Sequence, residues 1–277
     1  MFKLFFSLIF LTAISFSQDF VFRTKLGSFQ DASDFAYSPI GYFYVCDTGA
    51  NEIIKVDTNG VVHKTIGGYG WESSSFDSPT SVFLSGLNVY VSDYRNHSVK
   101  IFDKDLNVIS SISKGESRVK EGTFGYPLSA LTNSLGDLFI LDSENKQVHK
   151  YDIFGKYSLS FGGYDSGEFA LSNPSKMTTT TNGKVIVLDG RNIFLFDEFG
   201  NGQSKLRTNE RLVDIKFSNG ILLFVFKSKV NLNNIESPLI NIKDFDFNSD
   251  FKSALLINNT LYILLHNGIL VFSKLED

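Results

Sequence analysis

The segment Tyr90–Asp103, YVSDYRNHSVKIFD, recurs with modest change at Tyr44–Asp57 (YVCDTGANEIIKVD) and Phe139–Asp152 (FILDSENKQVHKYD). This recurrence constrains the fold more than any other feature of the chain. Each copy leads an apolar pair or triplet into an aspartate, passes a polar turn containing asparagine, and closes on a second apolar run and another aspartate. The leading aspartates are Asp47, Asp93 and Asp142, joined by Asp189 of a fourth copy with a shorter turn, VIVLDGRNIFLFD, so the anchors lie 46, 49 and 47 residues apart. A period of this size means a repeat architecture.

Each copy reads as two strands joined by a tight turn. The first strand is rich in Val, Ile, Phe and Tyr, and the aspartate stands where the chain leaves the sheet, placed to accept hydrogen bonds from turn amides. Asp47, Asp93, Asp142 and Asp189 are therefore expected to be structural anchors; the alternative is a shared ligand or metal role. A second signal lies between the anchors. Gly67-Gly68-Tyr69-Gly70 leads to Phe76 and Pro79, Gly162-Gly163-Tyr164 to Phe169 and Pro174, and Gly122-Thr123-Phe124 to Pro127. The glycines allow positive φ after an outer strand, and the proline opens the next strand where no ladder donor is needed. Four short strands per period of about 45 residues is the pattern of a propeller blade.

With its glycine-rich segment, Phe and Pro, inner strand, and apolar-Asp-turn-Asn-apolar segment ending on an aromatic and Asp, the unit resembles the NHL repeat. The resemblance covers residues 36–200 and implies a β-propeller. The Gly-His and Trp-Asp pairs of WD repeats are missing, as are the spaced Tyr and Trp of kelch repeats.

Met1 to Ser17 carries one charge, Lys3, then an apolar or small run from Leu4 to Phe16. It is short for a membrane span and reads as a cleaved export signal, with a retained anchor as the alternative. Residues 18–277 then form one NHL-type propeller domain, secreted or periplasmic, monomeric and without a transmembrane span. The lone Cys46 has no partner for a disulfide and reads as a buried small hydrophobe. With 28 Phe and 22 Gly and no sustained helical rhythm, the composition is all-β.

Beyond about residue 205 the anchors vanish. Leu212–Ser218, Ile221–Lys227 and Ser237–Phe247 still read as strands, and Phe251–Asn258, Leu261–His266 and Ile269–Ser273 make a last blade that is one strand short. Phe20–Lys25 belongs to no blade and is the candidate to complete it, clasping the chain ends. The expected fold is thus a six-bladed β-propeller of four-stranded blades, closed by the N-terminal strand.

No nucleophile elbow, zinc-helix motif, phosphate loop or Cys-x-x-Cys is present. His63, His97, His149 and His266 fall at unequal repeat offsets, which disfavours a symmetric zinc site. Asp34, Asn133, Asn182, Asp214 and Asn219 lie near inner-strand ends, where oxygen ligands for a calcium ion could gather. Such a metal-dependent (calcium or zinc) hydrolase of lactonase type, with its site in the central channel, is the alternative reading.

The leading reading has no catalysis, cofactor or metal. Turns after each second strand and glycine-rich loops into the next blade should emerge on one side and gather Tyr69, Trp71, Tyr94, Arg95, Tyr126, Tyr164 and Arg191. Aromatic and arginine residues in turns suit recognition of a protein, peptide or glycan; packing on neighbouring loops is the plainer alternative. A net charge of -4 and a pI of about 5.6, with no basic stripe, argue against nucleic acid.

Overall fold

The computed structural model describes residues 18–113, 122–218, 220–233, 240–243, 245 and 247–275. Their strands form six sheets set as blades around a central channel, a six-bladed β-propeller. Blade 1 contains Ala32–Ser38, Tyr42–Asp47, Glu52–Asp57 and Val62–Gly67; blade 2 contains Pro79–Ser85, Asn88–Asp93, Ser98–Asp103 and Val108–Ser113. Blade 3 spans Pro127–Thr132, Leu138–Asp142, Gln147–Tyr151 and Tyr157–Phe161, and blade 4 spans Pro174–Thr179, Val185–Asp189, Asn192–Phe196 and Gly202–Arg207. First strands of consecutive blades pack side by side and close the ring. The export signal expected over 1–17 lies outside the described residues.

Pro79, Pro127 and Pro174 each open an inner strand, as their spacing predicts. A bulge follows at the same place in four blades, between Ala32 and Asp34, Pro79 and Ser81, Pro127 and Ser129, and Pro174 and Lys176. A bulge re-aims the next side chain, so all four blades present that residue alike. The loop into blade 4 holds a short 3-10 helix, Tyr164–Phe169, which no helical period announces.

The clasp forms as its position in the chain predicts. Gln18–Leu26 pairs antiparallel with Gly268–Lys274 as the fourth strand of blade 6, beyond Thr260–Leu265 and Ser253–Ile257. One strand changes owner. Ile240–Lys243, in a stretch expected to belong to the fifth unit, instead pairs parallel with Gln18–Val21 on the outside of blade 6. The sheet of blade 5 holds Asp214–Ser218, Ile221–Val225 and Val230–Leu232 among the described residues. Packing explains the transfer: Ile240 joins Phe20 in the cluster between blades 5 and 6, and Lys243 Nζ lies 2.6 Å from Asp19.

The core lies between blades. Tyr44, Cys46 and Ile53 of blade 1 pack on Phe76, Val82, Val91 and Phe102 at blade 2, and Phe139, Leu141 and Phe161 of blade 3 pack on Val185, Phe194 and Phe196 of blade 4. Phenylalanine dominates the largest fully buried side chains. Cys46 sits in this packing, and burial pushes its thiol up to about 12, which makes it a small hydrophobe and not a nucleophile.

Candidate functional site

Loops entering a blade and turns after its second strand interlock on one face. Asp47 accepts from the amides of Gln30 (2.7 Å) and Asp31 (2.9 Å), Asp93 from that of Asp77 (2.8 Å), and Asp189 from those of Ser172 (3.0 Å) and Asn173. Each carboxylate ties the end of its strand to the loop entering the same blade. Asp142 differs, accepting from the Glu144 amide (2.8 Å) and the Asn145 side chain (2.6 Å) of its own turn, with His149 Nε2 at 3.1 Å.

Buried Lys100 fixes the loop between blades 1 and 2. Its ammonium lies 2.9 Å from Asp93, donates to the carbonyls of Glu72 (2.8 Å) and Ser75, and stands over the Phe76 ring. Burial pushes the Asp93 carboxyl up, against the pull of Asn96 and Lys100. Asn96 also donates to the Gly70 carbonyl at 2.7 Å, joining this loop to the turn 94–97 of blade 2.

On this braced base stand two adjoining aromatic groups. Tyr69 and Trp71, 69% and 80% exposed, have ring centroids 6.4 Å apart. The Tyr126 ring lies tilted against Tyr94 (centroids 5.1 Å apart) and edge-on to His97 (4.3 Å), and its amide donates to His97 Nδ1 at 3.2 Å. Arg95 reaches out of the same turn, 3.9 Å from Asp77. Both Tyr126 (φ 51) and His97 (φ 50) occupy the left-handed region, a costly place for a bulky side chain. Tyr164, 96% exposed, projects from the next loop. Arg191 lines a separate recess of about 560 Å³ with Glu210, Arg211 and Lys227. Five of the seven expected residues thus come together around Asn96, and Tyr164 and Arg191 stand apart. His97 was missed as their partner; its place in the turn YRNH, beside tyrosine and arginine, was the available signal.

The channel is polar at one level. The residue after each bulge and its equivalents in blades 5 and 6 form a ring of Asp34, Ser81, Ser129, Lys176, Asp214 and Ser253. Lys216, two residues on from Asp214, joins them. Its Nζ lies 2.7 Å from Asp34 and 3.7 Å from Asp214, while Lys176 Nζ lies 3.8 Å from Asp34 and donates to the Thr80 carbonyl at 3.2 Å. The Ser253 hydroxyl donates to Asp214. Burial raises the Asp34 carboxyl, yet Lys176 and Lys216 outweigh it and hold Asp34 below the usual range; for Asp214 burial wins and the shift is upward. Burial also opposes charge on Lys216, but its two aspartates hold it well above the usual ammonium range. The cavity around the cluster measures about 200 Å³.

A calcium or zinc ion does not fit this donor set. Asp34 and Asp214 converge as expected, but on the Lys216 ammonium. Asn133 is used in its own turn, accepting from the amides of Leu135 and Asp137, and Asn182 accepts from Thr180 in another; Asn219 lies outside the described residues. Among the described residues no three His, Cys, Asp or Glu side chains gather for one ion. Of the two lysines, Lys176 was placeable, since it holds the second position after a strand-opening proline like Ser81 and Ser129, whereas Lys216 lies in blade 5, where the repeat signals are lost.

No protein-family model matches the chain. In sequence it is 26% identical over 157 residues to Protein brain tumor of Drosophila melanogaster, covering 55% of this chain and 14% of that protein. It is 30% identical over 76 residues to NHL repeat-containing protein 2 of Bos taurus, covering 25% of this chain and 10% of that one. The chain therefore matches only a small part of each relative's length. Among solved structures, virginiamycin B lyase from Staphylococcus aureus superposes with a TM-score of 0.64 at 10% identity, covering 91% of this chain and 99% of the lyase. A gluconolactonase from Xanthomonas campestris reaches 0.68 at 9% identity, covering 90% and 88%. At such identities the two enzymes share the fold alone. The relatives of this chain in sequence are NHL-repeat proteins, and its structure is a six-bladed β-propeller.

Proposed function

We propose that this chain is an exported recognition module that binds a protein, peptide or glycan on its turn face, with Tyr69, Trp71, Tyr94, Arg95, His97 and Tyr126 as the contact surface and Tyr164 at its margin. One observation carries the reading: two groups of exposed or half-buried rings, Tyr69 with Trp71 and Tyr126 with Tyr94 and His97, adjoin across the hydrogen bond from Asn96 to the Gly70 carbonyl. The neighbouring indole and phenol stand exposed on a loop locked by Lys100, so their surface is preorganised and little ordering cost falls on binding.

The reading includes export, with the mature chain starting near Gln18 and acting as a monomer in the periplasm or outside the cell. A channel-centred hydrolase is the weaker reading, because the carboxylates it needs are engaged by Lys216 and Lys176.

The test is titration of the purified protein against immobilised glycans and peptides, with Trp71→Ala and Arg95→Ala alongside. Each substitution is expected to weaken capture by tenfold or more, as truncation of an interface anchor does, and to leave thermal stability nearly unchanged. A large loss of stability would make these residues packing elements. Unaltered capture by both variants would remove the turn face from the function.

A further inference from the structure

The channel ring holds more hydrogen-bond donors than its acceptors can use. All four oxygens of its two aspartates are engaged. Asp34 Oδ1 accepts from the Phe35 amide (2.9 Å) and from Lys216 (2.7 Å), and its Oδ2 from the Val82 amide (3.2 Å). Asp214 Oδ1 accepts from the Ile215 amide (2.8 Å) and its Oδ2 from the Ser253 hydroxyl. The donors are not used up in the same way. Each ammonium carries three N–H groups, yet Lys216 makes one hydrogen bond, to Asp34. Lys176 also makes one, to the Thr80 carbonyl at 3.2 Å, with the carboxylate of Asp34 3.8 Å away. Ser81 and Ser129 fill the equivalent ring positions of blades 2 and 3. They are 3% and 4% exposed and line the cavity, and neither hydroxyl has a hydrogen-bond partner among the described residues.

Buried donors left unmade are costly, because the unfolded chain bonds them to water. Grouped around a cavity of about 200 Å³, these call for an acceptor. The next layer of the channel narrows the choice. Side chains alternate along a strand, so the residue facing the axis recurs two positions on. There the cavity is lined by Ala36, Phe83, Leu131 and Leu255, with Thr178 and Lys216. Water alone suits such a space poorly, since a buried water needs about two to four polar neighbours.

We infer that the channel binds a small organic carboxylate, its head among Ser81, Ser129 and Lys176 and its apolar body against Ala36, Phe83, Leu131 and Leu255. A carboxylate brings two acceptor oxygens to the spare hydroxyl and ammonium donors, and charge-assisted bonds of this kind are the strong ones. The two aspartates oppose it little. Their oxygens are already covered by amides, Ser253 and Lys216, and burial pushes the Asp214 carboxyl up, which lessens the negative charge on that side. The site thus takes an anion where a metal centre would take a cation. It does not depend on what the turn face binds.

The test is calorimetric titration of the full chain, in a buffer free of organic acids, with sodium butyrate, sodium acetate, sodium chloride and 1-butanol. Butyrate should bind saturably at one site per chain. It should bind about tenfold or more tighter than acetate, which lacks two methylenes for the apolar layer, or 1-butanol, which lacks the charge. Ser81→Ala combined with Ser129→Ala should weaken butyrate by about tenfold or more. The Tm of that variant without ligand should stay level or rise, because the hydroxyls it removes have no partner there. Butyrate binding that ignores the serine pair overturns the inference, as does a serine variant several degrees less stable without ligand. Chloride binding as tightly as butyrate overturns it in favour of an inorganic ion, and the lack of any saturable heat with butyrate overturns it outright.

Discussion

Replacing Lys216 by methionine probes the channel directly. The ammonium bridges Asp34 at 2.7 Å and Asp214 at 3.7 Å, and both aspartates are buried. Methionine fills similar volume but leaves two carboxylates facing each other, with only Lys176, 3.8 Å from Asp34, as counter-charge. Removing one partner of a buried ion pair costs about 3–5 kcal/mol, which in a domain of this size lowers Tm by roughly 6–10 °C. The pH dependence identifies the cause. Lys216, with its folded pKa raised, contributes stability that is constant below its unfolded value and is lost only at strongly alkaline pH. Asp34, with its folded pKa lowered, contributes stability above its unfolded value of about 4 that is lost as pH falls through the folded one. In Lys216→Met both carboxyls should titrate upward, so the deficit is greatest near neutral pH and narrows toward about pH 5, where one of them takes up a proton. Neutralising them with Asp34→Asn and Asp214→Asn in the Lys216→Met background should recover most of the loss. Thermal unfolding followed by circular dichroism across this pH range is the assay. A Tm change under about 2 °C, or a deficit that ignores pH, would refute the ion-cluster account.

Three further outcomes follow from the same geometry. Tyr126→Gly removes both the ring and its unfavourable φ, so ligand capture should fall tenfold or more while Tm moves by less than about 3 °C; a large destabilisation would make the ring a structural prop. Lys100→Met should free the loop carrying Tyr69 and Trp71, seen as amide exchange over residues 68–78 at least about tenfold faster than in the parent, whereas unchanged exchange would mean the loop is held by other contacts. Cys46, with burial pushing its thiol to about 12, should resist disulfide exchange reagents at pH 8 until the protein unfolds, and fast labelling of the native protein would contradict its place in the core.

Blades 1 to 4 were readable because their signals are local. The aspartate at the end of a second strand, the glycines after a fourth and the proline opening a first all report on neighbours within a few residues, and each does so at the same offset in successive units. In blades 5 and 6 the anchor position passes to Phe226 and Leu265, apolar residues that pack instead of holding a turn, and the punctuation goes with it. The transfer of Ile240–Lys243 to Gln18–Val21 leaves no trace in either segment, since parallel pairing of chain-distant strands has no local signature. The channel cluster was hidden for a related reason. Asp34, Lys176, Asp214 and Lys216 meet only because six inner strands converge on one axis, so two aspartates near strand ends suggested an ion where the fold supplies lysine. The turn-face aromatics were legible as exposed types in turns, but their division into a braced group around Asn96 and the outlying Tyr164 and Arg191 depends on how the loops lean on one another.

Trp71 is the only tryptophan of the chain and stands 80% exposed beside Tyr69, so intrinsic fluorescence reads the proposed binding face without a label. Titration with a glycan or peptide retained in the capture assay is the most direct test of turn-face recognition. The account predicts a blue shift of Trp71 emission and protection from acrylamide quenching, saturating at the concentration that saturates capture. A ligand that saturates the protein while the emission and quenching of Trp71 stay those of a solvent-exposed indole would contradict it.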